Sequence, residues 1–227
     1  MSGVLITLAG LNDRVSIRLL GCGLRELQLG AARSLDEHVA ELTAVCRQGH
    51  DLLGAGLAGS LLLSLGAHLP VDSHARLLSL FPWLGLDPPV YGAHRIGTAL
   101  GRLWLRAAAR PPLRPLLSRV SLSPPPRGLE GVCEPAAVTW VHAASCVHGV
   151  ECVPLLGAVS APTTLVLNTA SPRLRADRAR VQVSALNEAL TLALADPDDD
   201  ALGQQVLGWL AGGGFAGQPS GPGGGHA

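Results

Sequence analysis

The first thirty residues alternate. "GVLITLAG" (3–10), "RVSIRLLG" (14–21) and "LRELQLG" (24–30) each alternate apolar and polar positions or run apolar with β-branched members. Asn12-Asp13 and Gly21-Cys22-Gly23 separate them at hairpin spacing. In the second run Val15, Ile17 and Leu19 alternate with Ser16 and Arg18, the period of a half-buried strand. The expectation is a small β-meander.

The period then changes. Ser34-Leu35-Asp36-Glu37 has capping-box form, with acidic residues suited to a helix N-terminus. Val39, Leu42, Val45 and Cys46 fall on one face of the helix that follows, which places Cys46 in a core. From Leu52 to Val71 no residue is charged. Twenty such residues could just span a bilayer. His68, Pro70 and the glycines shorten and weaken the apolar part, and no aromatic belt or basic flank is present. A buried central helix is the preferred reading, with Gly54, Ala55, Ala58 and Gly59 permitting close helix approach. "SHARLLSLFPWLGL" (73–86) predicts a second short helix, stopped near Pro82. "HRIGTALGRLWLRAAAR" (94–110) predicts a third, with Ile96, Ala99, Leu100, Leu103 and Ala107 inward.

"SLSPPPRG" (121–128) reads as a polyproline-type linker. Strand patterns follow it: "PAAVTWVHAA" (135–144), "ECVPLLG" (151–157), "TTLVLNT" (163–169) and "RARVQVSA" (178–185). Leu186, Leu190 and Leu194 recur every four residues, which tilts "LNEALTLALAD" (186–196) toward helix. Asp196-Pro-Asp-Asp-Asp200 makes a turn and an acidic start for a last helix, "ALGQQVLGWLA". The predicted fold class is α+β: an N-terminal β-meander and bundle-like helices over 1–120, a Pro-rich linker over 121–129, and a lobe of antiparallel strands with a terminal helix over 130–211. The Gly-rich residues 212–227 read as a disordered tail.

Composition narrows the chemistry. Of the 227 residues 48% are hydrophobic and only 15% charged, against a usual charged share of about 25%. All 17 basic residues are arginine, and the formal net charge is zero. No global field draws nucleic acid or anionic lipid. So weakly charged a surface favours association. The start of the chain lacks the basic region of a signal peptide. The five cysteines do not resemble a disulfide framework. An intracellular setting, cytoplasmic or nuclear, is expected.

Three of the five cysteines and two of the eight histidines crowd into 133–152, around "CVHGVEC". His148-Gly149 suits a two-residue hairpin turn. In that register Cys146 and Cys152 face opposite sides of the sheet. His142 and Cys146 stand about 13 Å apart along one strand. The spacing of a zinc finger is absent, so no metal and no cofactor is expected. A Cys146 nucleophile with His148 as base lacks a residue to orient the base. Asp72-Ser73-His74 has triad residue types, but adjacency does not create triad geometry. "GAGLAGS" (54–60) lacks the Lys-Ser/Thr of a phosphate loop, and the residues before it read as helical rather than as a strand.

Arg102, Arg106 and Arg110 form a stripe at i, i+4 spacing, and Arg173, Arg175, Arg178 and Arg180 cluster nearby in sequence. Their forks suit carboxylates and phosphates, and they are the candidate partner-binding residues. Without lysine or interleaved aromatics, nucleic acid is not expected. The function that composition favours is a non-enzymatic subunit or adaptor of a multiprotein complex, with other protein subunits as partners. The alternatives are a small enzyme using Cys/His chemistry around Cys146, and a membrane-associated protein attached through 52–71.

Overall fold

Six short strands lie side by side, and every neighbouring pair is parallel. The computed structural model describes residues 3–8, 12–30, 35–69, 75–82, 132–133, 156–169 and 187–215. The strands are β1 (Gly3–Leu8), β3 (Arg25–Leu29), β4 (Asp51–Ala55), β5 (Leu77–Leu80), β7 (Thr163–Asn168) and β8 (Leu190–Ala195), in the spatial order β3-β1-β4-β5-β7-β8. Helices α1 (Arg14–Leu20), α2 (Leu35–Cys46) and α3 (Leu57–His68) connect the first four of these, and α4 (Leu202–Leu210) follows the last. Two residues of β2 (Asn12–Asp13) pair antiparallel with two of β6 (Val132–Cys133).

Parallel neighbours need crossovers, and the crossover helices cover both faces. Leu5, Leu53, Leu78, Val166 and Ala193 meet α1 and α4 through Val15, Leu19, Leu202, Val206 and Trp209. Val4, Ile6, Leu52 and Leu77 meet α2 and α3 through Leu42, Cys46, Leu61, Leu62 and Leu65. Farther along the same face Leu165, Leu167, Leu190 and Leu192 pack with Leu63, Leu156 and Val159. A strand buried on both sides carries no polar alternation, which is why β4 and β5 read as continuous apolar runs.

The predicted α+β class, with its meander and antiparallel strands, is therefore corrected to a three-layer α/β sheet. "RVSIRLLG" is helix α1, not a strand; Val15, Ser16 and Leu19 are buried while Ile17 is 52% exposed. Gly21, Cys22 and Gly23 end that helix with amide bonds back to Ile17, Leu19 and Leu20, rather than turning a hairpin. "LRELQLG" does hold strand β3, but it pairs parallel with β1, Ile6 opposite Leu27. The uncharged stretch 52–71 is not one helix: β4 ends at Ala55 and α3 begins at Leu57. Residues 77–80 form β5 instead of a helix, and 190–195 form β8. The expected helices after Ser34 and after Asp200 stand where the pattern placed them, as does the strand at 163–168. Strands from both sides of the Pro-rich stretch 121–129 share the one sheet. Among the described residues no helix is long and apolar enough to cross a membrane.

Candidate active site

The order of the strands singles out one place. From β1 the chain moves outward to β3, then returns past β1 to β4 and continues the other way through β5, β7 and β8. The connections diverge between β1 and β4. In an open parallel sheet this divergence opens a crevice beyond the carboxyl ends of the strands, where ligands bind. The end of β4 lies at that point.

There the sequence Gly54-Ala55-Gly56-Leu57-Ala58-Gly59 carries the chain from strand to helix in one residue. Gly56 takes φ 55° and ψ −120°, a conformation L side chains rarely adopt. Its amide donates to the Leu80 carbonyl at 3.0 Å, and its carbonyl accepts the Ser60 amide at 3.1 Å. The turn can be this tight because its walls are small. A Cβ on Gly54 would sit 2.8 Å from the Ala58 carbonyl carbon and 3.0 Å from the Gly59 nitrogen. A Cβ on Gly59 would sit 3.0 Å from the Gly54 oxygen. No side chain caps α3, and its first-turn amides have no intrahelical acceptor. Phe81 follows β5 beside the turn with φ 46°, and its amide donates to the Val166 carbonyl at 2.8 Å. It is the one described non-glycine residue with positive φ, and such strain concentrates at functional sites.

The opposite, amino edge is built for stability. Asp51, 1% exposed, receives the Arg76 backbone amide at 3.1 Å, Nε at 3.2 Å and Nη2 at 2.6 Å. Arg76 also donates to the last carbonyls of α4, Trp209 at 3.0 Å and Leu210 at 3.2 Å, and lies 4.4 Å from the Trp209 ring centre. Burial pushes the nearby Cys46 thiol up to about 11, with the Asp51 charge adding to it, so Cys46 is a core thiol and not a nucleophile. A recess of about 480 Å³ at this edge is lined by Gly3, Leu24, Leu207 and Leu210 with Arg25 at its rim. It lacks convergent polar groups and lies away from the crevice.

Arg102, Arg106, Arg110, Arg173, Arg175, Arg178 and Arg180 lie outside the described residues, as do His142, Cys146, His148, Cys152 and the segment 72–74. Gly54–Ser60 lacks the Lys-Ser/Thr of a phosphate loop, and a strand was not expected before it. The structure places β4 there, and the short run Leu52–Ala55 after Gly49-His50-Asp51 was the available signal.

No protein-family model and no curated protein sequence matches the chain, but solved structures do. An enol-lactonase from Burkholderia xenovorans LB400 matches with a TM-score of 0.57 at 10% identity, over 92% of this chain and 91% of that one. BpoC of Mycobacterium tuberculosis H37Rv, described as a non-heme bromoperoxidase, matches with a TM-score of 0.56 at 12% identity, over 93% and 92%. The carboxylesterase CesB of Bacillus subtilis matches with a TM-score of 0.53 at 12% identity, over 93% and 84%. These neighbours are enzymes, and they overturn the expectation of a non-enzymatic subunit, adaptor or scaffold, which rested on low charge and on the lack of a recognised constellation. The parallel sheet, the divergence at β4 and the tight strand–turn–helix together give this chain the α/β-hydrolase fold.

Proposed function

We propose that this chain is an enzyme of hydrolase type acting on a small carbonyl compound, such as an ester or a lactone, in the crevice above Gly56. The observation that carries the reading is the strand–Gly56–helix turn at the divergence of the sheet. Amides of the first turn of α3 point where a carbonyl oxygen gathers negative charge during acyl chemistry. Donors fixed in that place stabilise the developing oxyanion without reorganising. The helix dipole adds to the same effect. The names of two neighbours, an enol-lactonase and a carboxylesterase, support an acyl carbonyl as the common substrate feature.

The test is a panel of p-nitrophenyl esters, lactones and thioesters, followed by both hydrolysis and thermal shift. Members that fit should raise the melting temperature, compete with one another, and lose binding in Gly56→Trp. Circular dichroism of that variant separates a blocked crevice from a lost fold. A panel that neither binds nor turns over, or ligands that bind Gly56→Trp as well as the parent, would refute the reading.

A further inference from the structure

The turn over β4 has the spacing of the nucleophile elbow, G-x-S-x-G, in which a strained residue between strand and helix holds its nucleophilic atom above the sheet. Gly54 stands at the first position of that spacing and Gly56 at the third, while Ala58 takes the place of the last glycine. The backbone of the elbow is kept, including its unusual φ and ψ and the close approach of Gly54 to Ala58. The side chain is gone. We infer that this chain handles its carbonyl ligand without forming a covalent intermediate on the protein.

Among the described residues, neighbouring groups do not replace what Gly56 lacks. Ser60 is buried, with its hydroxyl turned back to the Gly56 carbonyl at 3.4 Å. The buried Ser79 donates to the Gly59 carbonyl at 2.9 Å. Both hydroxyls serve the packing of α3 on the sheet. Cys22 precedes β3 and Cys46 precedes β4, so these two thiols lie toward the amino edge. The stretch through β7, β8 and α4 also carries no histidine to act as base. In this fold the triad runs nucleophile, acid, base along the chain, yet the sequence from Gly149 to Gly225 contains no histidine. The turn after β8, Asp196–Asp200, carries carboxylates instead, which accept the amides of Asp198 and Ala201 at 2.9 Å each. At about 4.8 Å per strand, β8 stands roughly 14 Å across the sheet from β4.

The inference rests on the carbonyl-binding reading above and gives its chemistry. A water oxygen bonds directly to the carbonyl carbon, and the carbon–heteroatom bond breaks. The leaving atom takes one proton of that water, and the acid keeps the other. One displacement replaces two.

The experiment reads covalency separately from binding. The full-length protein is treated with a fluorophosphonate and, in a second arm, with a slowly turned-over p-nitrophenyl ester. It is quenched in acid and its intact mass measured. Binding is followed in parallel by thermal shift. The expected result is an unchanged mass alongside a raised melting temperature. Hydroxylamine trapping should give a hydroxamate-to-acid ratio that varies with the leaving group, since no common acyl-enzyme is shared. A stoichiometric adduct on any residue, or a ratio constant across leaving groups, would overturn the inference while leaving the carbonyl site standing. Absence of both binding and turnover would instead remove the site itself. Gly56→Cys supplies a second reading: a thiol there should be alkylated by iodoacetamide faster than Cys46, and an inert thiol in a folded variant would remove the elbow from the crevice.

Discussion

Arg76→Ala should destabilise the fold by about 3–4 kcal/mol. The substitution removes two of the three hydrogen bonds to Asp51, leaving only the backbone amide at 3.1 Å. Asp51 is 1% exposed, so the remaining carboxylate is a buried charge without its countercharge. Removing one partner of such a pair costs about 3–5 kcal/mol. Loss of the bonds to the Trp209 and Leu210 carbonyls takes a cation from the negative end of α4, worth roughly 0.3–1 kcal/mol. The stacked guanidinium on Trp209 adds about 0.5–1 kcal/mol. These contributions share one side chain and do not add in full. The Arg76 side chain is 23% exposed, so water can enter the space it leaves and lower the total. Against a stability of about 5–15 kcal/mol for a domain, the loss is large.

Urea titration followed by tryptophan fluorescence measures it, since Trp209 is buried within the affected contact. The midpoint should fall without a change in slope. The double variant Asp51→Leu/Arg76→Met separates pairing from packing. It removes both charges and keeps the volume, so it should be at least ~1 kcal/mol more stable than Arg76→Ala. A loss below ~0.5 kcal/mol in Arg76→Ala, or a double variant less stable than the sum of its singles, would refute the reasoning.

Gly54→Ala should cost ~2 kcal/mol or more, because its new methyl meets the backbone of Ala58 and Gly59 rather than a side chain that can swing away; thermal unfolding checks this, and a neutral variant would deny the close approach. Stability should fall as pH rises from about 9 to about 11, because the unfolded Cys46 thiol ionises near 9.0 while the folded one keeps its proton to about 11. Urea midpoints across that range should decline less steeply in Cys46→Ala. Phe81→Gly should relieve a φ of 46° but remove apolar packing beneath α4, so ligand affinity over the elbow should fall more than the melting temperature does; equal insensitivity of both would place Phe81 outside the site.

The fold was legible where periodicity and caps agree. The acidic first turn after Ser34 and the acidic turn Asp196–Asp200 marked the starts of α2 and α4. It was illegible where an element is too short to show its period. Over the seven residues of α1, apolar positions at 15, 17 and 19 alternate like a strand, and only the exposure of Ile17 reveals the helix. In β8 the leucines at 190, 192 and 194 alternate, yet Leu186, Leu190 and Leu194 also fit a helical repeat. Direction is a further blind spot. Whether two strands run parallel is decided by the crossover between them, so misreading α1 as a strand turned a parallel pair into a meander.

The site was hidden for a different reason. A strand buried on both faces, a tight turn and a buried helix merge into twenty uncharged residues, and nothing in hydropathy marks the junction at Gly56. The motif that marks it elsewhere is a serine between glycines. Here the glycine that makes the turn affordable also removes that serine. A non-glycine residue in such a conformation costs on the order of 1–3 kcal/mol, which a nucleophile repays with reactivity. Glycine avoids the cost and gives up the reactivity. The Gly56 backbone therefore keeps the aim of the α3 amides while supplying no atom to attack. If the strain of the elbow exists to hold an oxygen in place, Gly56→Ser should regain that geometry at a loss of roughly 1–3 kcal/mol in stability. Without a histidine after β7 other than His226, the new hydroxyl should stay unreactive toward fluorophosphonate. Rapid labelling of that variant, with the parent unlabelled, would mean that a base already stands over the crevice and that only the nucleophile is missing.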